Sequence, residues 1–230
     1  MKKMVALLSG ALLMLTAGVA SAYTINYTYN PIVPTDGGFS TPYAGMQVET
    51  FDTAPLLWTW TGSYQIKTGS SSNGAAPAYL GNPDLTKYIA VPYVPGNSFP
   101  SGSVLATANT VVGGPFNYLG LWWGSIDGVQ GGNNIWNEIR FYLGANLVET
   151  VTGDQVTNPA DGSWIAGTTN QYVNLLNLPL FDSFELYSHH YAFEADNIAV
   201  GNVVPEPGTI LLLGAGLFGL GIFSRRRMQK

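Results

Sequence analysis

Ile135-Trp136-Asn137-Glu138-Ile139-Arg140-Phe141-Tyr142-Leu143-Gly144-Ala145-Asn146-Leu147-Val148-Glu149-Thr150-Val151 is the stretch that decides the fold. In its first arm Ile139, Phe141 and Leu143 alternate with Arg140 and Tyr142, the period of a strand with one buried face. Gly144-Ala145 interrupts the pattern and a second β-prone arm follows, so the spacing predicts a hairpin of 135–143 with 146–151. Outward from this hairpin, short runs rich in Tyr, Trp, Ile, Val and Thr alternate with clusters of Gly, Asn, Asp and Pro. Further strands are predicted near 23–29, 46–51, 56–66, 87–94, 103–109, 116–123, 170–176, 181–187 and 191–200. No helical period is sustained between Tyr23 and Gly201, and no fixed repeat length appears. Many short strands without intervening helices predict an all-β, jelly-roll-like β-sandwich over 23–201.

The two ends are built differently. Met1-Lys2-Lys3, an apolar run to about Val19 and Ala20-Ser21-Ala22 form a positive start, a greasy middle and a small-x-small site. That is the pattern of a secretory signal peptide, with cleavage predicted after Ala22 by signal peptidase on the general secretion route. Near the other end an apolar, glycine-rich run predicts a transmembrane helix over about 208–224, just long enough for a bilayer when flanking residues snorkel. Arg225-Arg226-Arg227 follows immediately and assigns that terminus to the cytoplasmic side of the inner membrane.

Charge separates the body from its ends. Residues 23–204 contain only Lys67, Lys87 and Arg140 against thirteen carboxylates, a net charge of −10. Such a body does not attract nucleic acid or anionic lipid through bulk charge. The chain has no cysteine, which removes disulfides, thiol catalysis and thiolate metal sites.

Between body and apolar run stands Val204-Pro205-Glu206-Pro207-Gly208. Pro205-Glu206-Pro207, an apolar helix and a terminal arginine cluster, over residues 202–230, resemble the PEP-CTERM sorting signal. The resemblance implies processing by an exosortase, in Gram-negative bacteria that make exopolysaccharide and biofilm matrix. The prolines fit that role, since they deny helix hydrogen bonds and hold the strip extended for a protease. Within the body, Phe116-Asn117-Tyr118-Leu119-Gly120-Leu121-Trp122-Trp123-Gly124-Ser125-Ile126-Asp127 and Phe193-Glu194-Ala195-Asp196-Asn197-Ile198-Ala199-Val200 are similar to segments of exosortase-dependent surface proteins. That likeness supports the fold and implies no reaction.

Candidate chemistry in the body is sparse. His189-His190 lacks zinc spacing, and adjacent strand residues point to opposite faces. Glu49, Asp52, Glu194 and Asp196 form a set of hard oxygens suited to calcium if the early and final strands lie side by side. The competing reading gives Asp196-Asn197 to a local turn. Trp58 and Trp60 share one strand face and could stack on sugar rings or pack in the core. Carboxylate pairs for glycoside hydrolysis are numerous but unmarked by any further pattern. No nucleophile elbow, phosphate loop or dinucleotide fingerprint is present. These observations predict a non-enzymatic, exported surface or matrix protein without a required cofactor, with a carbohydrate-binding module for exopolysaccharide as the alternative and a glycoside hydrolase behind both.

Overall fold

A computed structural model describes residues 24–28, 41–79, 82–93, 96, 101–108, 113–129, 136–163, 169–190 and 192–203. Ala20, Ala22, Pro205, Glu206, Pro207, Trp164, the apolar run after Thr209 and Arg225, Arg226 and Arg227 lie outside them. In chain order the strands are β1 (Thr24–Thr28), β2 (Gln47–Glu49), β3 (Trp58–Gly62), β4 (Gln65–Lys67), β5 (Ala78–Tyr79), β6 (Asn82–Pro83), β7 (Tyr88–Val91) and β8 (Gly102–Ala108). They continue as β9 (Tyr118–Gly124), β10 (Asn137–Leu143), β11 (Asn146–Thr152), β12 (Gln171–Leu176), β13 (Ser183–Ser188) and β14 (Phe193–Gly201), with one helical turn, α1 (Gly153–Val156), after β11.

Two antiparallel sheets form the sandwich that the alternating pattern predicted. The larger runs β1-β12-β9-β14-β7-β4, with β2 also pairing β14, and the smaller runs β11-β10-β13-β8-β3. The deciding hairpin forms as β10 on β11, Ile139 opposite Val151 and Leu143 opposite Asn146, with one irregularity between Phe141 and Tyr142.

The core lies between the sheets. Leu119, Leu121, Trp123, Phe193 and Ile198 from the larger sheet meet Trp58, Trp60, Ile139, Phe141 and Phe184 from the smaller. Trp123 stacks on Phe193 with ring centroids 4.7 Å apart, and Trp58 packs edge-on to Phe184 at 4.9 Å. Such aromatic pairs add about 0.5–1.5 kcal/mol to the burial of their large apolar area.

The single strand predicted over 56–66 is two strands in two sheets. β3 pairs β8 in the smaller sheet, whereas β4 pairs β7 in the larger. The chain turns at Gly62, whose φ of +134° is open to glycine and strained for other residues. Ser63 then anchors the crossing, its Oγ donating to the Tyr93 carbonyl at 2.6 Å.

The outer face of the larger sheet is covered as well. Tyr88, Ala90, Trp122, Tyr172, Glu194 and Asp196 are all buried on or beside it. The segment 69–86 contributes to this cover: Tyr88 Oη donates to the Gly69 carbonyl, Ala75 N–H reaches Glu194 and Thr86 reaches Asp196. β14 is consequently buried along its whole length.

Candidate binding surfaces and the sorting signal

Early and final strands do lie side by side, with Glu49 of β2 opposite Ile198 of β14. The four predicted carboxylates nevertheless divide among three environments. Glu49 is an internal brace: its carboxylate accepts from the backbone N–H of Phe51 at 2.9 Å and of Leu57 at 2.6 Å. Burial raises its pKa, and those backbone hydrogen bonds oppose the shift.

Glu194 has its own partners. Ser125 Oγ donates to one oxygen, Ala75 N–H to the other at 2.7 Å, and Lys67 supplies an attractive charge from the end of β4. Complete burial outweighs these and pushes the Glu194 carboxyl up to about 8. Lys67 moves the opposite way, its pKa lowered by burial against the pull of Glu194.

Asp52 and Asp196 belong to the third environment. Asp52 Oδ1 accepts from Lys87 N–H at 3.0 Å, whereas Asp196 is wholly buried and contacts Thr86 Oγ1 at 3.3 Å. Asp84, which sequence reasoning passed over, joins them: its Oδ1 accepts from Thr86 N–H at 2.8 Å and Thr86 Oγ1 at 2.6 Å. The Asp84-Leu85-Thr86 spacing is the available signal, an acidic residue positioned to bond the backbone two residues on. Burial first, then the nearby Asp84 carboxyl, holds Asp196 well above the usual carboxylate range. Among the described residues, no three or more Asp, Glu, His or Cys side chains are grouped so as to hold a metal ion through those residue types alone.

The predicted sugar platform of Trp58 and Trp60 is corrected by their burial. Trp58 is 3% exposed and Trp60 8%, and both rings face inward against Phe184, with Phe116 beside Trp58 and Phe51 beside Trp60. They share one strand face as expected, and it is the core face. A ring sealed between two sheets cannot stack on a ligand.

The outward face of the smaller sheet instead carries a polar and aromatic row. Arg140 on β10 pairs with Glu138 on its own strand and with Glu185 of β13, Nη1 to Oε2 at 3.1 Å. Tyr142 Oη donates to the same Glu185 oxygen at 3.0 Å, and the guanidinium lies 4.1 Å from the centre of the Tyr187 ring. His189 packs beside Tyr187 and against Trp136, and burial followed by the Arg140 and His190 charges lowers its pKa despite Glu138. Alternation along β10 and β13 builds this face, since Arg140, Tyr142, Glu185 and Tyr187 are half-buried between core neighbours. The signal in the sequence is Arg140 itself, one of three cations in a body of thirteen acids.

At the end of β14 the chain is fastened to the body. Asn117 N–H donates to the Gly201 carbonyl at 3.2 Å. The Asn117 side chain then imitates one more strand pair, Nδ2 donating to the Val203 carbonyl at 2.9 Å and Oδ1 accepting Val203 N–H at 2.8 Å. A family model described as the PEP-CTERM protein-sorting motif matches residues 203–227, beginning at this clasped valine. The chain carries a PEP-CTERM sorting signal.

The PEP-CTERM signal makes this an exosortase-sorted protein, exported as a membrane-anchored precursor on the cell envelope. Among the described residues no helix is long and apolar enough to cross a membrane, and the run predicted to do so lies outside them. No curated protein matches the chain. Among solved structures, a "Xylan-Binding Domain from CBM 22" is similar at 14% identity and a TM-score of 0.35, covering 70% of this chain and 96% of that one. The "Agl-KA catalytic domain" is similar at 14% identity and a TM-score of 0.33, covering 72% of this chain and 31% of that one. Neither likeness bears on what this body binds or does.

Proposed function

We propose that the PEP-CTERM protein is a non-enzymatic component of the cell surface or extracellular matrix, a β-sandwich exported by the general secretion route and released or displayed by exosortase processing. The observation that carries this reading is the junction at Val203. Among the described residues the last contact of the sandwich is made by Val203, where the matched sorting motif begins, so processing beyond it spares every contact described for the sandwich. Glu194 and Asp196, the acids most displaced by burial, are sealed beneath the 69–86 segment and cannot reach a glycosidic bond. Mass spectrometry of both termini, from cells with and without the exosortase, tests the reading. The expected mature chain begins at Tyr23 and lacks the apolar tail only when the exosortase is present. An unchanged tail mass and location in both strains would overturn it.

The outward face of the smaller sheet supports a second reading, attachment to the cell's own exopolysaccharide. Arg140, Glu138, Glu185 and Tyr142 are held in mutual hydrogen bonds before any ligand arrives, and Tyr187 and Trp136 supply ring surface beside them. Preorganised polar groups next to aromatic faces suit sugar hydroxyls and ring carbons. The double substitution of Arg140→Met with Tyr187→Ala is expected to abolish co-sedimentation with that polysaccharide while the far-UV spectrum is kept. Undiminished co-sedimentation would remove this face from consideration.

A further inference from the structure

The final strand changes neighbours part-way along. Phe193–Ala195 pair with β7, whereas Ile198–Val200 pair with β2. Between them the register against β9 slips, Asp196 opposing Trp122 and Ala199 opposing Gly120. The extra residue is Asn197, at a φ of +48° that Asn tolerates better than most side chains. The sheet therefore has a gap in pairing beside Asp196, between the Ala195–Ile89 pair with β7 and the Ile198–Glu49 pair with β2. Asp84 and Thr86, just before β7, and Asp52, just after β2, converge on that gap from separate segments.

The gap is polar, buried and under-supplied with hydrogen. Asp84 and Asp196 are both 0% exposed. Asp84 Oδ2 and Asp196 Oδ1 have no donor against them. The Asp196 carboxyl has the Thr86 hydroxyl and the Asn197 backbone N–H for donors, and lies within hydrogen-bonding reach of the Asp84 carboxyl itself. Thr86 Oγ1 lies against both carboxyl groups but has one hydrogen to give. Its better-placed acceptor is Asp84 at 2.6 Å, which leaves hydroxyl lone pairs and carboxylate oxygens turned toward one another. Buried carboxylates placed so are costly unless they share a proton or a cation lies among them. Lys67, the one buried lysine in this cover, is committed to Ser71 and the charge of Glu194.

We propose that this gap binds one calcium ion, held by Asp84 and Asp196 with the Thr86 hydroxyl, and with Asp52 adding charge at the rim. The donors are all hard oxygens, drawn from separate segments in an irregular arrangement. Calcium accepts six to eight oxygens in flexible geometry, whereas magnesium requires a near-ideal octahedron. Two carboxylates make only part of such a shell, and backbone carbonyls and water complete it. An ion there would close the sheet where strand pairing lapses, joining the ends of β2 and β7 to β14.

Equilibrium dialysis of the full-length chain in detergent against calcium-free buffer, followed by calcium chloride titration, tests this. The expected stoichiometry is one calcium per chain, with Tm raised by about 4 °C or more at saturating calcium and by less with magnesium. Asp84→Asn and Asp196→Asn are each expected to weaken calcium binding tenfold or more, whereas Glu194→Gln, in the neighbouring environment, leaves it unchanged. Should either variant fail to fold, terbium emission from the unmodified chain decides, because Trp122 opposite Asp196 is placed to sensitise an ion in the gap and calcium would quench that emission by competition. Absence of stoichiometric calcium, absence of calcium-displaceable terbium emission, or full calcium affinity in a folded Asp84→Asn or Asp196→Asn chain would each overturn the proposal. A carboxyl pair that merely shares a proton gives the first of these results.

Discussion

At the centre of the seven-stranded sheet both faces are buried, yet by opposite means. The inner face meets the other sheet through aromatic and aliphatic side chains such as Trp123, Phe193, Leu121 and Phe184. The outer face is roofed by loops over Glu194, Asp196, Tyr88 and Tyr172, groups whose polar atoms need partners. The inner face draws its energy from area removed from water by side chains that do not titrate, so it is insensitive to pH. On the outer face the balance depends on protonation and on specific hydrogen bonds, so it responds to pH and ions. A single sheet thus carries a passive side and a responsive side.

Substitutions separate the two sides most sharply when ordered by expected size. Trp60→Ala empties part of the inner core and is expected to cost about 3–5 kcal/mol, read as a lower urea midpoint at every pH. If that loss varied strongly with pH, the inner face would not be passive. Glu194→Gln probes the responsive side. Its folded pKa of about 8 lies above the ordinary 4.5, so below pH 4.5 both states hold the proton and no penalty applies. As pH rises from 4.5 to 8 the unfolded chain ionises first, stability falls, and the loss is complete above 8, at a slope of at most about 1.4 kcal/mol per pH unit. The glutamine variant is expected to lose this slope and to exceed the unmodified chain in urea midpoint at pH 9. A further decline should remain from Asp127, which burial and then Asp161 push up to about 7, and from Asp196, which burial and then Asp84 raise well above its ordinary value. Equal slopes in the two proteins would show that Glu194 is not the responsive group. Arg140→Met on the half-exposed row of the smaller sheet should cost under about 1 kcal/mol, since exposed ion pairs contribute little. A larger loss would make that row structural.

Strand placement was legible wherever one face alternated cleanly. β10 and β11 follow directly from Ile139, Phe141 and Leu143 against Arg140 and Tyr142. The split of 56–66 was not legible, because Trp58 through Ile66 reads as one β-prone run and only Gly62 marks the turn between sheets. Period two placed Trp58 and Trp60 on one face without saying whether core or solvent lay there. The same limit applied to the acids. Glu194 and Asp196 share a face, but the partners that separate them, Ser125 and Asp84, come from 69 and 112 positions away in the chain. Asp84 sits in a loop without periodicity, so its pairing emerges only from three-dimensional proximity. The sorting signal was legible because its readers act on a linear strip.

The clasp of Asn117 on Val203 has a mechanical consequence. It makes the first residue of the matched strip the last rung among the described residues, with only Val204 between that rung and Pro205 in the chain. A fully stretched chain advances at most about 3.6 Å per residue, so Pro207 lies within roughly 14 Å of that rung. Whatever grips Pro-Glu-Pro therefore works in the shadow of a folded bead, and the clearance it meets is set by one asparagine amide.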